Sequence, residues 1–250
     1  MRHKTKGLVI REAPKGETSK LLTVLTPDLG VITVNAKGVR KLSAPYLKSA
    51  QLFAFSDMLL HIKNGFYTLA EASLVTDFYS LSSDITRYSL ACYLAEAASA
   101  FAVPGEECSN ILRLLLNSLY ALEKGLVSAP LLKSAFELRL CAECGFFPEV
   151  AECAECGNDL ENTVSLFNAV EGVALCRDCA SAGGDNYIVS PSVCKAMKHV
   201  TESELSKFVS FRVGKDDESV LSVIAERFML VRAERGFKTL SFYKQCEKLP

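Results

Sequence analysis

Two pairs of cysteines with the spacing C-x-x-C constrain this chain more than any other feature of its sequence. Cys153 and Cys156 form the first pair, Cys176 and Cys179 form the second, and nineteen residues separate the pairs. This ligand type and spacing are typical of a structural zinc site, in which four thiolates complete the coordination of Zn²⁺. Because such a site leaves no open coordination position, we expect the metal to stabilise the fold without taking part in chemistry.

The residues around these pairs support the same ligand set. Gly157 directly follows the second cysteine, where a residue that tolerates positive φ allows the chain to turn and to point backbone N–H groups at the sulfurs. A rival pair, Cys141 and Cys144, also has the C-x-x-C spacing, but its surroundings predict a helix, and only eight residues separate Cys144 from Cys153. We therefore interpret the rival pair as packing residues. Four further cysteines are isolated and are interpreted as buried or incidental: Cys92, Cys108, Cys194 and Cys246.

The composition indicates a folded chain that lies in the cytoplasm. Hydrophobic residues make up 49% of the 250 residues, which is enough for a substantial core. The first residues contain no apolar stretch long enough for a signal peptide, and the longest apolar stretch, residues 90–103, is interrupted by Glu96. In such a chain, ten cysteines indicate metal ligands and buried thiols, not disulfides.

The periodicity of apolar residues divides the chain into four parts. Residues 1–80 alternate short apolar segments with turns, and five short strands at this spacing predict a small closed barrel. From residue 81 to residue 148 a helical period predicts three helices, separated by Pro104-Gly105 and by Pro130. Residues 149–185 form the zinc module, inserted into the helical bundle as an outgrowth. The helical period returns in residues 186–250, with predicted helices from Pro191, over Glu202–Phe208 and over Glu218–Arg232.

The charge is distributed unevenly along the chain. The formal net charge is −1, but residues 2–48 contain ten Lys and Arg against three acidic residues, a net of +7. Lys37, Arg40 and Lys41 lie in one predicted turn of this segment, and on a small barrel such a loop provides cations for a phosphate backbone. The barrel segment also contains aromatic residues that would suit base stacking, but we interpret each of them as core: Phe53, Phe55, Phe66 and Tyr67.

The sequence contains no recognisable catalytic motif. Phosphate-binding glycine loops, the H-E-x-x-H zinc motif and the G-x-S-x-G nucleophile motif are all missing, and the three histidines lie near no obvious nucleophile. A nucleic-acid-binding protein that is not an enzyme is therefore the favoured interpretation. Two alternatives stay open: an RNA-binding or transcription-associated protein with a zinc ribbon, and an enzyme such as a hydrolase with an unrecognised site.

The order of short motifs along nearly the whole chain resembles the RecO family of bacterial recombination mediators. The N-terminal motifs are Leu8–Arg11, Gly16–Thr18, Leu21–Thr26, Leu29–Gly30, Ala36–Lys41, Gln51–Phe53 and Leu69–Glu71. The later ones are Leu138–Arg139, Gly145–Pro148, Cys153–Gly157 and Arg235–Phe242. Each motif is loose, but their joint order is specific.

The resemblance implies an α+β protein with an N-terminal OB-fold barrel and a helical bundle carrying a four-cysteine zinc module. It implies DNA repair by a protein that binds single- and double-stranded DNA, anneals complementary strands and acts with RecR. It also implies help in loading RecA recombinase onto DNA coated with the single-strand binding protein SSB, in the cytoplasm at the nucleoid. Lys37, Arg40 and Lys41 become the expected DNA contacts, with Arg11 a weaker candidate.

The family's contact with the SSB tail cannot be matched to a motif in this chain. An acidic tail that ends in an apolar residue would require a hydrophobic groove bordered by Lys or Arg. The helical region offers three cations as candidate borders of such a groove: Arg113, Lys133 and Arg139.

Overall fold

The computed structural model describes residues 1–41, 43–180 and 185–248. Within these ranges the chain forms eight strands and six α-helices. The N-terminal elements are β1 (Arg2–Lys15), β2 (Ser19–Thr26), β3 (Gly30–Ala36), β4 (Ala54–Lys63), β5 (Phe66–Asp77), α1 (Ile85–Phe101) and α2 (Ser109–Lys124). They are followed by α3 (Ala129–Glu143), β6 (Ser165–Asn168), β7 (Val173–Leu175), β8 (Asn186–Val189), α4 (Pro191–Glu202), α5 (Lys215–Ala233) and α6 (Lys238–Cys246). None of these helices is long and apolar enough to cross a membrane.

The first five strands form a closed barrel in the order β1-β2-β3-β5-β4. β1 pairs antiparallel with β2 on one side and with β4 on the other, which completes the ring. β3 and β5 run parallel, and their register pairs Val34 with Tyr67 and Asn35 with Thr68. Because every strand has two neighbours, the arrangement leaves no long edge on which another chain could add a strand.

β1 contains a β-bulge and pairs with two different strands along its length. The register shifts between Val9 and Arg11, so Ile10 is the extra residue. Arg2–Leu8 pair with β4, whereas Leu8, Val9 and then Arg11–Lys15 pair with β2, so the bulge lies within the β2 pairing. Apolar side chains from alternate strand positions fill the interior, among them Val9, Leu22, Val24, Ile32, Val34, Met58, Leu60 and Leu69.

The chain divides into two compact units, of which the first contains the barrel. It comprises Met1–Glu123 and the C-terminal segment from Phe237 onwards, while Lys124–Gly236 form the second unit. In the first unit α6 packs against α1, and the rings of Tyr93 and Phe237 meet edge to face with their centroids 5.9 Å apart. The division into residues 1–80, 81–148, 149–185 and 186–250 stays a prediction.

In the second unit, α3 is the central helix. Its side chains from Leu131 to Ala142 are all buried, and both α4 and α5 pack against it. A three-stranded sheet in the order β7-β6-β8 also belongs to this unit. The sheet contacts α5, where the rings of Phe167 and Phe228 lie 6.1 Å apart.

The predicted change from strands to helices is confirmed, and so are the three helices between residues 81 and 144. The helix predicted over Glu202–Phe208 is wrong, because α4 ends at Glu202 and turns follow it. Leu205 and Phe208 are buried at a spacing of three, which imitates a helical period. In these turns the backbone hydrogen bonds run from Lys207 N–H to the Glu204 carbonyl and from Ser210 N–H to the Lys207 carbonyl.

Gly30 provides a test of how the barrel packs against the loop between α1 and α2. Its φ is +61°, and a Cβ atom there would lie 2.2 Å from the carbonyl oxygen of Val103. Gly16 has a similar φ of +64° but open space around it, so Gly16→Ala is a matched control. We expect Gly16→Ala to lower the free energy of unfolding by about 1–2 kcal/mol. Gly30→Ala should lower it by about a further 1–3 kcal/mol, because the clash adds to the backbone strain.

Urea unfolding of the two variants measures this difference. If Gly16→Ala and Gly30→Ala lower the free energy of unfolding equally, the loop between α1 and α2 does not pack against Gly30 in solution.

Candidate metal centre and nucleic-acid interface

The four cysteines predicted as metal ligands form one cluster in the second unit. The sulfur atoms of Cys153, Cys156, Cys176 and Cys179 all lie within 4.8 Å of one another, and those of Cys156 and Cys176 are 3.8 Å apart. A tetrahedral ion bound by four thiolates at about 2.3 Å requires sulfur atoms about 3.8 Å apart. The cluster therefore fits a four-coordinate metal ion, and no fifth protein ligand is needed.

Backbone hydrogen bonds shape the first cysteine pair into a tight turn. Gly157 has a φ of +73°, as its position after Cys156 predicts, and its N–H donates to the Cys153 carbonyl at 2.8 Å. The N–H of Cys153 donates to the Asn158 carbonyl, also at 2.8 Å. The second pair follows β7, and the N–H of Ala154 donates to the Ala174 carbonyl at 3.0 Å. This last bond holds the two pairs together.

The electrostatics of the cluster favour a bound cation. The N–H groups of Cys176 and Cys156 lower the pKa of the Cys153 thiol to about 6. Hydrogen bonds with the thiols of Cys176 and Cys156 raise the pKa of Cys179. Four thiolates this close repel one another, and a positive ion among them removes that repulsion.

The rival pair of cysteines does not join the cluster. Cys141 is buried within α3, and burial strongly raises the pKa of its thiol. Cys144 follows the last residue of α3 and is half-buried. Among the described residues, the cluster of Cys153 and its three partners is the one group of potential ligands that lies close enough to hold an ion.

Replacing one ligand tests the metal centre. Cys153→Ser should abolish the binding of one metal ion per chain and lower the melting temperature, because the binding free energy of a structural ion contributes to folding. Metal content measured by mass spectrometry and thermal unfolding measured by circular dichroism check both effects. Cys144→Ser, in the rival pair, should retain the ion. A Cys153→Ser protein that is metal-free but melts like the wild type would contradict a structural role.

The basic loop predicted to contact DNA lies at one end of the barrel, directly after β3. Lys37, Arg40 and Lys41 are exposed, whereas Val39 between them is fully buried in the barrel core and anchors the loop. Arg40 also fixes the loop to the turn between β1 and β2. Its backbone N–H donates to the Thr18 carbonyl at 2.9 Å, and its guanidinium donates to a second carbonyl of that turn at 3.0 Å.

Arg11, the weaker candidate, is exposed on β1 next to the bulge. It pairs with Thr23 of β2. In the part of the chain that the structure describes, no hydrogen bond or ion pair joins Arg11 to the basic loop. The structure therefore brings Lys37, Arg40 and Lys41 together but places Arg11 apart from them in the sheet.

A groove of about 710 Å³ lies on the barrel where β3 meets β5. Phe66, at the start of β5, is 76% exposed in this groove, and Tyr67 beside it is half-buried. The side-chain oxygen of Asn35 is buried and accepts no hydrogen bond from any described residue, although buried polar atoms are normally paired. The other residues that line the groove are Lys15, Leu21, Leu29, Val31, Ile32, Thr33, Gly65, Thr68, Pro104 and Gly105.

The aromatic residues of the barrel do not all belong to its core. Phe53 is buried and meets Tyr88 edge to face at 6.1 Å, so its interpretation as core is confirmed. Phe55 is half-buried. For Phe66 the interpretation as core is wrong, since most of its side chain faces solvent. The sequence signal for this exposure is its position directly after Asn64-Gly65, a turn in which both residues have positive φ.

Two of the three cations considered as borders of a protein-binding groove are buried in the second unit. The Lys133 ammonium contacts the carboxylates of Glu137 and Glu226, each at 2.9 Å. The guanidinium of Arg139 binds Glu143 at 2.7 Å and donates to the carbonyl of Val200 at 3.1 Å, at the end of α4. The prediction is wrong for both, because their charges are used inside the unit.

Arg113, by contrast, is exposed on α2 in the first unit. It stays a candidate for a contact with a partner.

These features together define a class of protein. A closed five-stranded barrel with a basic loop and an open groove is combined with a helical unit that carries a four-cysteine cluster. The four-cysteine cluster of such a chain could hold a metal ion.

The chain belongs to the RecO family of DNA repair proteins. The family described as "Recombination protein O N terminal" matches residues 1–78, and the one described as "Recombination protein O C terminal" matches residues 82–241. The "DNA repair protein RecO" of Acetivibrio thermocellus is 27% identical over 246 residues, which cover 98% of each chain. That of Roseiflexus sp. is 28% identical over 247 residues, 99% of this chain and 87% of the relative. The resemblance in the sequence motifs is thereby confirmed.

Proposed function

We propose that this protein is a recombination mediator that acts without catalytic turnover. It binds single- and double-stranded DNA on the barrel and anneals complementary strands. With RecR, it helps load RecA onto single-stranded DNA coated with SSB. The observation that carries this proposal is the combination of an open groove, an exposed Phe66 and a basic loop on one barrel.

The strand order supports an OB-fold for the barrel. Five strands in the order β1-β2-β3-β5-β4, with β1 closing onto β4, match the five-stranded barrel that binds oligonucleotides in OB-fold proteins. Such barrels use the face of strands 2 and 3 together with the loops after strands 1 and 4. Here the groove lies on β3, and its lining includes Lys15 at the end of β1 and Gly65 in the turn after β4.

The side chains of the groove suit single-stranded DNA. The exposed ring of Phe66 offers a stacking platform that accepts any base. Lys37, Arg40 and Lys41 supply charge for the backbone, and binding through them releases counterions and weakens with salt. Double-stranded DNA would use the same cations without stacking on Phe66.

We assign Zn²⁺ as the ion of the four-cysteine cluster, since four thiolates in a tetrahedron favour zinc. Cys153, Cys156, Cys176 and Cys179 would be its ligands, and the ion would stabilise the second unit without taking part in DNA chemistry. The partners would be RecR and the SSB tail, with RecA an indirect partner, and the protein would act at the nucleoid in the cytoplasm. Arg113, which is exposed, remains the candidate residue for a contact with the SSB tail.

The acids with shifted pKa values do not favour the alternative of a hydrolase. Hydrogen bonds from Thr5 and His3 outweigh partial desolvation and lower the pKa of Asp28. A hydrogen bond from Arg227 lowers the pKa of Asp185. A general acid at neutral pH would require a raised pKa.

The basic loop is tested by a double substitution. Arg40→Ala with Lys41→Ala should weaken DNA binding and flatten the plot of log K against log salt by about one unit for each lost contact. Fluorescence anisotropy of a labelled oligonucleotide at several salt concentrations measures the slope. Because Arg40 also holds the turn after β1, Lys37→Ala with Lys41→Ala provides a second variant that keeps that contact. An unchanged slope in both variants would refute the loop assignment, and preference for an RNA competitor would favour the RNA-binding alternative.

The groove is tested at its exposed ring. Phe66→Ala should weaken binding of single-stranded DNA by about 1–3 kcal/mol, because one stacked base loses its platform. Binding of a duplex, whose bases stay stacked on each other, should change little. Tyr79→Ala is a matched control, since Tyr79 is 66% exposed and does not line the groove. Equal effects of the two substitutions would show that the groove does not hold bases.

A further inference from the structure

Besides the basic loop, the barrel carries a row of cations that lies outside the groove. Arg2, Lys4 and Lys6 are alternate residues of β1, so their side chains point to the same face of the strand, and all three are exposed. The residues between them, His3 and Thr5, are half-buried and bind Asp28. The alternation therefore presents three cations along one edge of the barrel wall.

The neighbouring strand extends this row. In the register of β1 and β4, Arg2 lies opposite His61 and Lys6 lies opposite Asp57. Lys63, two residues after His61, points to the same face, and both side chains are exposed. We call the surface formed by Arg2, Lys4, Lys6, His61 and Lys63 the β1–β4 face.

Acidic residues compensate only part of this charge. Asp57 forms a loose ion pair with Lys6 at 3.9 Å, and Glu71 lies on the adjoining part of β5. With two acids against four Lys and Arg, the surface keeps a net charge of about +2 with neutral histidine. Among the described residues, Arg2, Lys4 and Lys63 have no acidic partner. Their charges are thus available to an anion from outside.

The shape and the spacing of this surface suit an extended polyanion. A concave region of about 540 Å³ is lined by Lys4 and Lys6, by the acids Asp57 and Glu71, and also by Leu59 and Ser73. The surplus positive charge of the face comes from Arg2 and Lys63, which lie outside this region. Alternate residues of a strand are spaced by about 6.7 Å, a distance comparable to that between successive phosphates of an extended nucleic-acid strand. The Ser73 hydroxyl adds a neutral donor for a phosphate oxygen.

The β1–β4 face is distinct from the groove around Phe66. The groove is lined by residues of β2 and β3, by Lys15 at the end of β1 and by the first residues of β5, whereas the concave region uses Lys4–Lys6 of β1, residues of β4 and the later residues Glu71–Ser73 of β5. The two sets of lining residues have no member in common. One barrel therefore carries two separate surfaces that fit a nucleic-acid backbone.

We propose that the β1–β4 face is a second nucleic-acid site, which holds a second strand by its phosphates while the groove holds the first by its bases. This inference rests on the proposed function. It provides a physical route to annealing, because each strand's charge is neutralised on its own surface and the two strands are held on one barrel. The phosphate contacts leave the bases of the second strand free to pair.

Simultaneous binding of two strands tests the proposal. Two oligo(dT) strands of about 12 nucleotides, within the site size of one barrel, are labelled with a donor and an acceptor dye and cannot pair with each other. With the full-length protein we expect energy transfer between the dyes. Arg2→Gln with Lys4→Gln should abolish the transfer, while anisotropy at low oligonucleotide concentration should show less than a twofold change in affinity for the first strand.

A matched control variant removes one Arg and one Lys from a different part of the protein. Arg212→Gln with Lys215→Gln changes one exposed Arg and one exposed Lys of the second unit and should leave the energy transfer intact. We call the protein with Arg2→Gln and Lys4→Gln the β1–β4 variant. Its rate of annealing of complementary strands should fall about tenfold, and circular dichroism should show an unchanged melting curve.

The outcomes separate the two proposals. If the wild-type protein binds no oligonucleotide, the proposed function fails. If it binds one strand without energy transfer, or if the β1–β4 variant transfers and anneals like the wild type, the second site is refuted and DNA binding stands. If the affinity of the β1–β4 variant for the first strand falls in proportion to its annealing rate, a separate site is also refuted. The same conclusion follows if an acidic peptide binds to the β1–β4 face and the energy transfer between the two strands is unaffected.

Discussion

The pairing of β1 with two strands is the constraint on which the first unit depends. Residues Arg2–Leu8 of β1 pair with β4, its residues from Leu8 to Lys15 pair with β2 around the bulge at Ile10, and this double pairing closes the barrel. A bulge inserts one unpaired residue, which disrupts the ladder of hydrogen bonds locally and increases the twist of the strand. Closure leaves β3 and β5 in a short parallel contact, and the groove lies where these two strands meet.

Charge has different roles in the two units. In the barrel most of the cations are exposed, and Arg2, Lys4 and Lys37 form no ion pair with any described residue, which keeps them available to a polyanion. In the second unit Lys133 and Arg139 are buried, and each is surrounded by acceptors because an unpaired charge in a core would be strongly destabilising. The raised pKa of Lys133 has a physical origin, since attraction to Glu137 and Glu226 outweighs the large opposing effect of desolvation. These charges stabilise the helices and cannot contact a partner.

Local patterns were readable in the sequence, and long-range contacts were not. The four-cysteine cluster follows from short turns whose geometry is set by neighbouring residues such as Gly157. The turn at Asn64-Gly65 signals the exposure of Phe66, but the groove in which the ring lies depends on the meeting of β3 and β5, which this segment does not encode. The sequence pattern of its helix suggests that Arg139 is a surface residue. In the structure its guanidinium donates to the carbonyl of Val200, which is 61 residues further along the chain. The helix predicted over Glu202–Phe208 fails for the same reason, because Leu205 and Phe208 are buried by tertiary packing.

The most direct test of the account is to locate the DNA on the full-length protein. A single-stranded oligonucleotide with photoreactive bases is crosslinked to the protein, and the modified peptides are identified by mass spectrometry. The account predicts crosslinks from bases at Phe66 and Tyr67, in the groove of the barrel. Crosslinks confined to the unit of Lys124–Gly236, with none in the barrel, would contradict the claim that the barrel binds DNA.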